Sequence, residues 1–145
     1  MAAKLGARSI ARLETCDPDL VRVIRRAEQV SPIDFTILAG LRSDEEQRFL
    51  YAQGRTLPGK IVTHVDGVNK RSKHQANPQG LSDAIDVAPW PIDWDDEKRF
   101  ILLAGVILAA AKLEGVDIRW GGDWDQDGDM NDHRFVDLPH FELVR

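Results

Sequence analysis

The sequence predicts an α+β domain, a small and mostly antiparallel sheet with helices packed against it. Three segments combine helical spacing of apolar residues with cap signals, and five short apolar or β-branched runs are interleaved with them. A chain of 145 residues buries roughly 68–70% of the surface its unfolded form exposes, so it needs neither disulfides nor a structural metal merely to fold. No repeat or low-complexity linker divides residues 1–145, which reads as one catalytic-sized domain.

The elements follow in order. Asp17-Pro18 is a cap and first-turn pair, and Leu20, Val21, Ile24, Ala27 and Val30 follow at helical spacing, predicting a helix over 18–30 that Ser31-Pro32 ends. Residues 34–41 form an apolar, partly β-branched run and predict a strand. Ser43 with Glu46 is a capping box, predicting a helix to about Gln53 that Gly54 stops. From Arg55 to Ser82 the chain is polar and broken by Pro58, Gly59, Gly67, Pro78 and Gly80, a long loop with one short strand expected at Ile61–Thr63. Loops of that length inside compact domains usually carry function. Residues 84–88 predict a strand, and Asp95 or Asp96 then opens the most apolar helix, capped by Gly115. Short strands are expected at Ile118–Trp120 and 140–144, with an acidic loop, 121–133, between them.

Composition excludes several functions. With 19 Lys plus Arg against 24 Asp plus Glu and a net charge of -5, the chain is no general nucleic-acid binder, which would show a basic excess. Its longest apolar run, Phe100–Ala111, falls short of the ~20 residues that span a bilayer, and the first residues carry Lys4, Arg8 and Arg12 without a continuous apolar core, so neither a membrane anchor nor a secretory signal is expected. The expected protein is made in the cytoplasm as a monomer. Cys16 is the single cysteine, has no base near it in sequence and reads as a packed thiol without a role.

Chemistry concentrates at Ser72-Lys73-His74, Ala84-Ile85-Asp86 and Asp137-Leu138-Pro139-His140. A catalytic zinc site takes three His or carboxylate ligands and leaves a position for water. His74, Asp86 and His140 supply such a set from three separate segments. Asp86 lies within an apolar run, where a carboxylate is costly unless paired or metal-bound. Asp83 is an alternative ligand. Hydrolysis also needs a carboxylate that moves the water's proton to the leaving amine, and Asp137, three residues before His140, is placed for that. Glu142 shares a strand face with His140 and can orient it. Taken singly, a His in a strand is more often a packing or surface residue than a ligand; together these residues say more.

Five ordered segments, Arg42–Gln47 with Leu50–Thr56, Ser72–His74, Ala84–Pro89, Arg119–Trp124 and Asp137–Leu143, resemble the phage L-alanyl-D-glutamate endopeptidases, relatives of the VanY-type D-alanyl-D-alanine carboxypeptidases within the zinc peptidases of hedgehog-type fold. The resemblance runs from about Phe35 to Leu143. It implies zinc on His74, Asp86 and His140, a catalytic carboxylate at Asp137, and an Arg, matched by Arg42, that stabilises charge developing on the scissile carbonyl. Read otherwise, Arg42 is a surface cation near a helix start. The implied function is that of a phage endolysin cutting the L-Ala-D-Glu bond of peptidoglycan, released to the wall after another protein permeabilises the membrane. A D-alanyl-D-alanine carboxypeptidase or dipeptidase and a non-enzymatic metal-stabilised binding domain are the alternatives. Two departures stand out. The 12 positions from His74 to Asp86 exceed the family's usual spacing, making Asn77–Leu81 an insertion and keeping Asp83 open as a rival, and Asp137 stands where many relatives carry Glu.

Asp123, Asp125, Asp127, Gly128, Asp129 and Asn131 match the first half of an EF-hand loop, with hard oxygen ligands at alternate positions and Gly at the sharp turn. Arg134 replaces the bidentate Glu. The segment is therefore either a calcium site or a solvated acidic loop. His64 and His133 read as surface or packing residues, and Trp90, Trp94, Trp120 and Trp124 as core or rim aromatics, with Trp124 able to flank a cleft.

Overall fold

The computed structural model describes residues 4–132 and 136–145. His133 and Arg134 lie outside the described residues. The helices are α1 (Ala7–Leu13), α2 (Pro18–Val30), α3 (Asp44–Ala52) and α4 (Glu97–Glu114), and the strands β1 (Phe35–Ala39), β2 (Ala84–Pro89), β3 (Ile118–Trp120) and β4 (His140–Leu143). The strands form one antiparallel sheet in the order β1-β2-β4-β3, as the fold class predicts.

The caps act as the sequence indicates. Asp17 accepts the Asp19 backbone N–H at the start of α2, and Ser43 and Glu46 form a reciprocal capping box on α3. Gly115, at φ 68°, ends α4 while Val116 donates back to the Ala111 carbonyl, closing the left-handed turn that only Gly adopts without strain. One helix is additional to the expected set. α1 is short and strongly basic, with only Ser9 and Leu13 buried, and the Ser9 hydroxyl reaches Thr36 Oγ1 and the Ile37 N–H of β1.

The core lies between the sheet and the α2–α4 pair. Val23, Ile24 and Ala27 of α2 meet Leu103, Ala104 and Ile107 of α4 over Ile37, Ile85 and Phe141. Each buried Val, Leu, Ile or Phe side chain among these contributes about 1.5–3 kcal/mol. α4 is not buried all round: Ile101, Leu102 and Leu113 are exposed. Cys16 is buried, and burial pushes its thiol up to about 12, so it is inert as a nucleophile at neutral pH.

The expected strand at Ile61–Thr63 does not form. Residues 53–83 contain no helix or strand beyond isolated bridges, and Ile61 and Val62 are half exposed. Side chains take the carbonyls a neighbouring strand would need, Gln53 donating to the Lys60 oxygen and Arg55 to the Thr63 oxygen. β propensity without a pairing partner does not make a strand.

Candidate active site

Asp86 on β2 and His140 on β4 stand directly opposite each other across the two inner strands. His74 arrives from the loop before β2. Its Nε2 lies 3.2 Å from Asp86 Oδ1, and His140 Nδ1 lies 3.1 Å from the same oxygen. The 12 positions that separate His74 from Asp86 in sequence do not separate them in space, because Asn77 folds the segment into a local turn, accepting from the Gln79 and Leu81 N–H groups.

Each histidine commits its other ring nitrogen elsewhere. His74 Nδ1 donates to the Gly40 carbonyl at 2.8 Å, and His140 Nε2 donates to Glu142 Oε1 at 2.9 Å. These bonds fix both tautomers and aim His74 Nε2 and His140 Nδ1 at one point, the arrangement that orients ligating histidines. One donor atom from each of His74, Asp86 and His140 lies within 4.8 Å of the others. Two imidazole nitrogens and a carboxylate oxygen, all on buried or half-buried groups, fit a divalent transition metal of the zinc type. Asp83, by contrast, sits outside this group, held by Asn77 Nδ2 at 2.9 Å and facing Arg145.

Gly40 permits this geometry. A Cβ there would lie 2.4 Å from Thr15 Oγ1 and 2.6 Å from the Arg12 carbonyl, so only glycine fits the end of β1 against the turn after α1, the position from which its oxygen accepts from His74. Gly121 does the same for Asp137. The Asp137 N–H donates to the Gly121 carbonyl, the Gly121 N–H to the His140 carbonyl, and the His140 N–H to the Asp137 carbonyl, a three-bond clasp at the mouth of β4. A Cβ on Gly121 would lie 2.2 Å from the Asp137 oxygen. Gly121→Ala is therefore expected to break the clasp, with a cost of about 1–3 kcal/mol from overpacking and a loss of peptidase activity that exceeds the loss of folded protein. Thermal melting beside an activity assay checks both.

The charges are strongly coupled. Burial would raise the Asp86 carboxyl, but hydrogen bonds from His140 and His74 hold it far below the usual carboxylate range. Burial would lower His140, yet its bonds to Asp86 and Glu142 push it up to about 9. Glu142, bonded to His140 and to Arg119 at 2.9 Å, is held down at about 2 against its own burial. Asp137 moves the other way: burial first, and then the Asp86 charge, raise it, while His140, His74 and Arg42 oppose. Two acids with pKa values driven apart in one site are the usual mark of divided roles.

Arg42 closes one side. Its backbone N–H donates to the His74 carbonyl at 2.8 Å and its guanidinium to Gln47 Oε1 at 2.8 Å. It is half-buried and electrostatically coupled to Asp137, so it is not merely a surface cation. The Trp124 ring, 5.6 Å from that of His140, flanks another side. Trp120 is buried, Trp90 and Trp94 are exposed, and His64 is exposed outside the group. In the acidic loop, carboxylate oxygens of Asp123, Asp125 and Asp127 lie within 4.8 Å of one another. Successive N–H groups bond back to them, Gly128 to Asp123 at 2.8 Å and Asp129 to Asp127 at 2.8 Å, as in a cation-binding loop turn. Sequence reasoning singled out none of Gly40, Gln47 and Gly121. The first and last act through backbone approach, which leaves little trace in residue type, and a polar residue inside an amphipathic helix looks like a solvent-facing one.

Fold and site together define an α+β protein built around a His–Asp–His group able to hold a metal ion. The chain belongs to the phage L-alanyl-D-glutamate peptidase family, whose family model matches residues 1–144. It is 35% identical to the L-alanyl-D-glutamate peptidase of Escherichia phage T5 over 99% of this chain and 100% of that protein. It is 34% identical to the peptidoglycan L-alanyl-D-glutamate endopeptidase CwlK of Bacillus subtilis, over 77% of this chain and 62% of CwlK. The crystal structure of the Serratia marcescens L-Ala D-Glu endopeptidase ChiX superposes with a TM-score of 0.69 and 30% identity, over 97% of this chain and 90% of ChiX. Among the described residues no helix is long and apolar enough to cross a membrane.

Proposed function

We propose that this chain is a zinc-dependent endopeptidase that cuts the L-Ala-D-Glu bond in the stem peptide of bacterial peptidoglycan, serving a phage in host-cell lysis. The observation that carries it is the convergence of His74, Asp86 and His140, with Asp137 and Arg42 beside them, in a member of this family. Residues 1–145 act as one catalytic domain and as a monomer.

His74, Asp86 and His140 are the proposed zinc ligands. Zinc held there supplies a Lewis acid and lowers the pKa of water at the site. Asp137 accepts the proton of the attacking water as the C–O bond forms, then delivers it to the nitrogen of D-Glu as the C–N bond breaks. Arg42 donates to the carbonyl oxygen as negative charge grows on it, a role worth about 2.7–4 kcal/mol where a comparable donor has been removed. Gly40 and Glu142 keep the two imidazoles turned toward the site throughout.

The deciding experiment incubates the protein with purified sacculi, with zinc or with chelator, and identifies the fragments by mass spectrometry. New N-terminal D-Glu ends that vanish with chelator are expected. Release of terminal D-Ala alone would make the chain a carboxypeptidase, and an intact wall would favour a metal-stabilised binding domain.

The acidic loop is proposed to bind calcium through Asp123, Asp125, Asp127, Asp129 and Asn131, which the carboxylate convergence supports. Calcium should raise the melting temperature by mass action, about 2.7 kcal/mol at a hundredfold excess over Kd. Asp127→Ala should remove that response, and an unchanged melting curve for the wild type would leave a solvated loop.

A further inference from the structure

Gln47 of α3 is fully buried, and both ends of its amide are engaged. Oε1 accepts from Arg42 Nη1 at 2.8 Å, and Nε2 donates to the Val65 carbonyl at 2.7 Å, across the long loop. That loop is fitted around it. Gly67 has φ 84°, and a Cβ there would lie 2.7 Å from Gln47 Cγ. A buried polar group is costly unless bonded, and this one meets that condition by spanning two otherwise separate segments.

The chemical nature of the acceptor matters. A carboxylate at this position would pair with the guanidinium and neutralise it, whereas the amide oxygen fixes Arg42 and leaves its positive charge available. Arg has five N–H donors, so one bond to Gln47 leaves others for a carbonyl oxygen in the cleft. We propose that Gln47 is a positioning residue that fixes the Arg42 guanidinium without neutralising it, and ties that placement to the loop through Val65. This rests on the reading that Arg42 stabilises charge on the scissile carbonyl.

The test measures kcat and KM on a purified disaccharide tetrapeptide, with thermal melting, for Gln47→Met, Gln47→Glu, Arg42→Ala and the Gln47→Met/Arg42→Ala double variant. Gln47→Met should lower kcat roughly 10–100-fold, the range typical when a bond that orients an active group is lost, while KM changes little. Gln47→Glu, which keeps an acceptor but adds charge and cannot donate to Val65, should not restore kcat. In the Arg42→Ala background Gln47→Met should add almost nothing, because the residue acts through Arg42. A wild-type kcat for Gln47→Met alongside a large loss for Arg42→Ala would overturn the inference and leave the Arg42 reading intact. Losses that simply multiply would also overturn it. A wild-type kcat for Arg42→Ala would remove the reading and the inference together. If Gln47→Met does not fold, a folded Gln47→Glu with wild-type kcat overturns it.

Discussion

Asp137→Ala is expected to abolish turnover on sacculi, by about 10²–10⁴-fold as for other lost general bases, while the protein folds at least as well as the wild type. The sign of the stability change follows from the site. Burial and the Asp86 charge raise the Asp137 carboxyl, so its ionised form is disfavoured in the folded protein. Removing the carboxylate removes that repulsion, and its backbone bonds to Gly121 and His140 do not depend on the side chain. Melting temperature should therefore hold or rise as activity vanishes. A variant with unchanged turnover would exclude Asp137 as the base, and one that is both inactive and unfolded would show that the clasp, rather than the proton, depends on it. Asp137→Glu separates reach from chemistry. The added methylene must be accommodated against the Gly121 clasp, so partial activity is expected.

The parts of this structure legible in the sequence are those that local chemistry dictates. The Ser43–Glu46 box, the Asp17-Pro18 cap and the Gly115 stop each specify a helix end through one or two side-chain bonds, and the ends lie where those residues place them. Asp86 and His140 were legible as members of one candidate ligand set with His74; their direct opposition across β2 and β4 is a matter of register, which the sheet as a whole decides. Ile61–Thr63 failed as a strand for the complementary reason, since its β-branched residues pair with neither edge of the sheet. The orientation of the two histidines was partly readable. Glu142, two residues from His140, followed from strand alternation, but the Gly40 carbonyl that holds His74 is a backbone group 34 residues away, and no side chain announces it. Gln47 was hidden by its helix.

The same contrast between side-chain identity and placement governs the comparison of Asp86 with Asp83, three residues apart and both acidic. Asp86→Ala is expected to abolish metal binding and activity together, because it removes the oxygen that faces both His74 Nε2 and His140 Nδ1. It should also return His140 toward its ordinary pKa, since the bond to Asp86 is the largest influence holding it up to about 9. Asp83→Ala should keep both metal and activity. Its loss is one of stability, the bond to Asn77 and the contact with Arg145 being removed near the C-terminal strand, at about 1–3 kcal/mol for a half-satisfied buried group. The pH dependence of metal binding supplies an independent reading. A ligating imidazole must be neutral, and His140 binds its proton up to about pH 9, so protons compete with the metal throughout the neutral range and affinity should fall about tenfold per unit as pH drops from 8 to 6. Calorimetric titration of zinc in buffers of different ionisation enthalpy would count the proton released, about one at pH 7. Zinc retained by Asp86→Ala but lost from Asp83→Ala would transfer the ligand role to Asp83, and it would require the loop around Asn77 to rearrange so that Asp83 turned from Arg145 into the sheet.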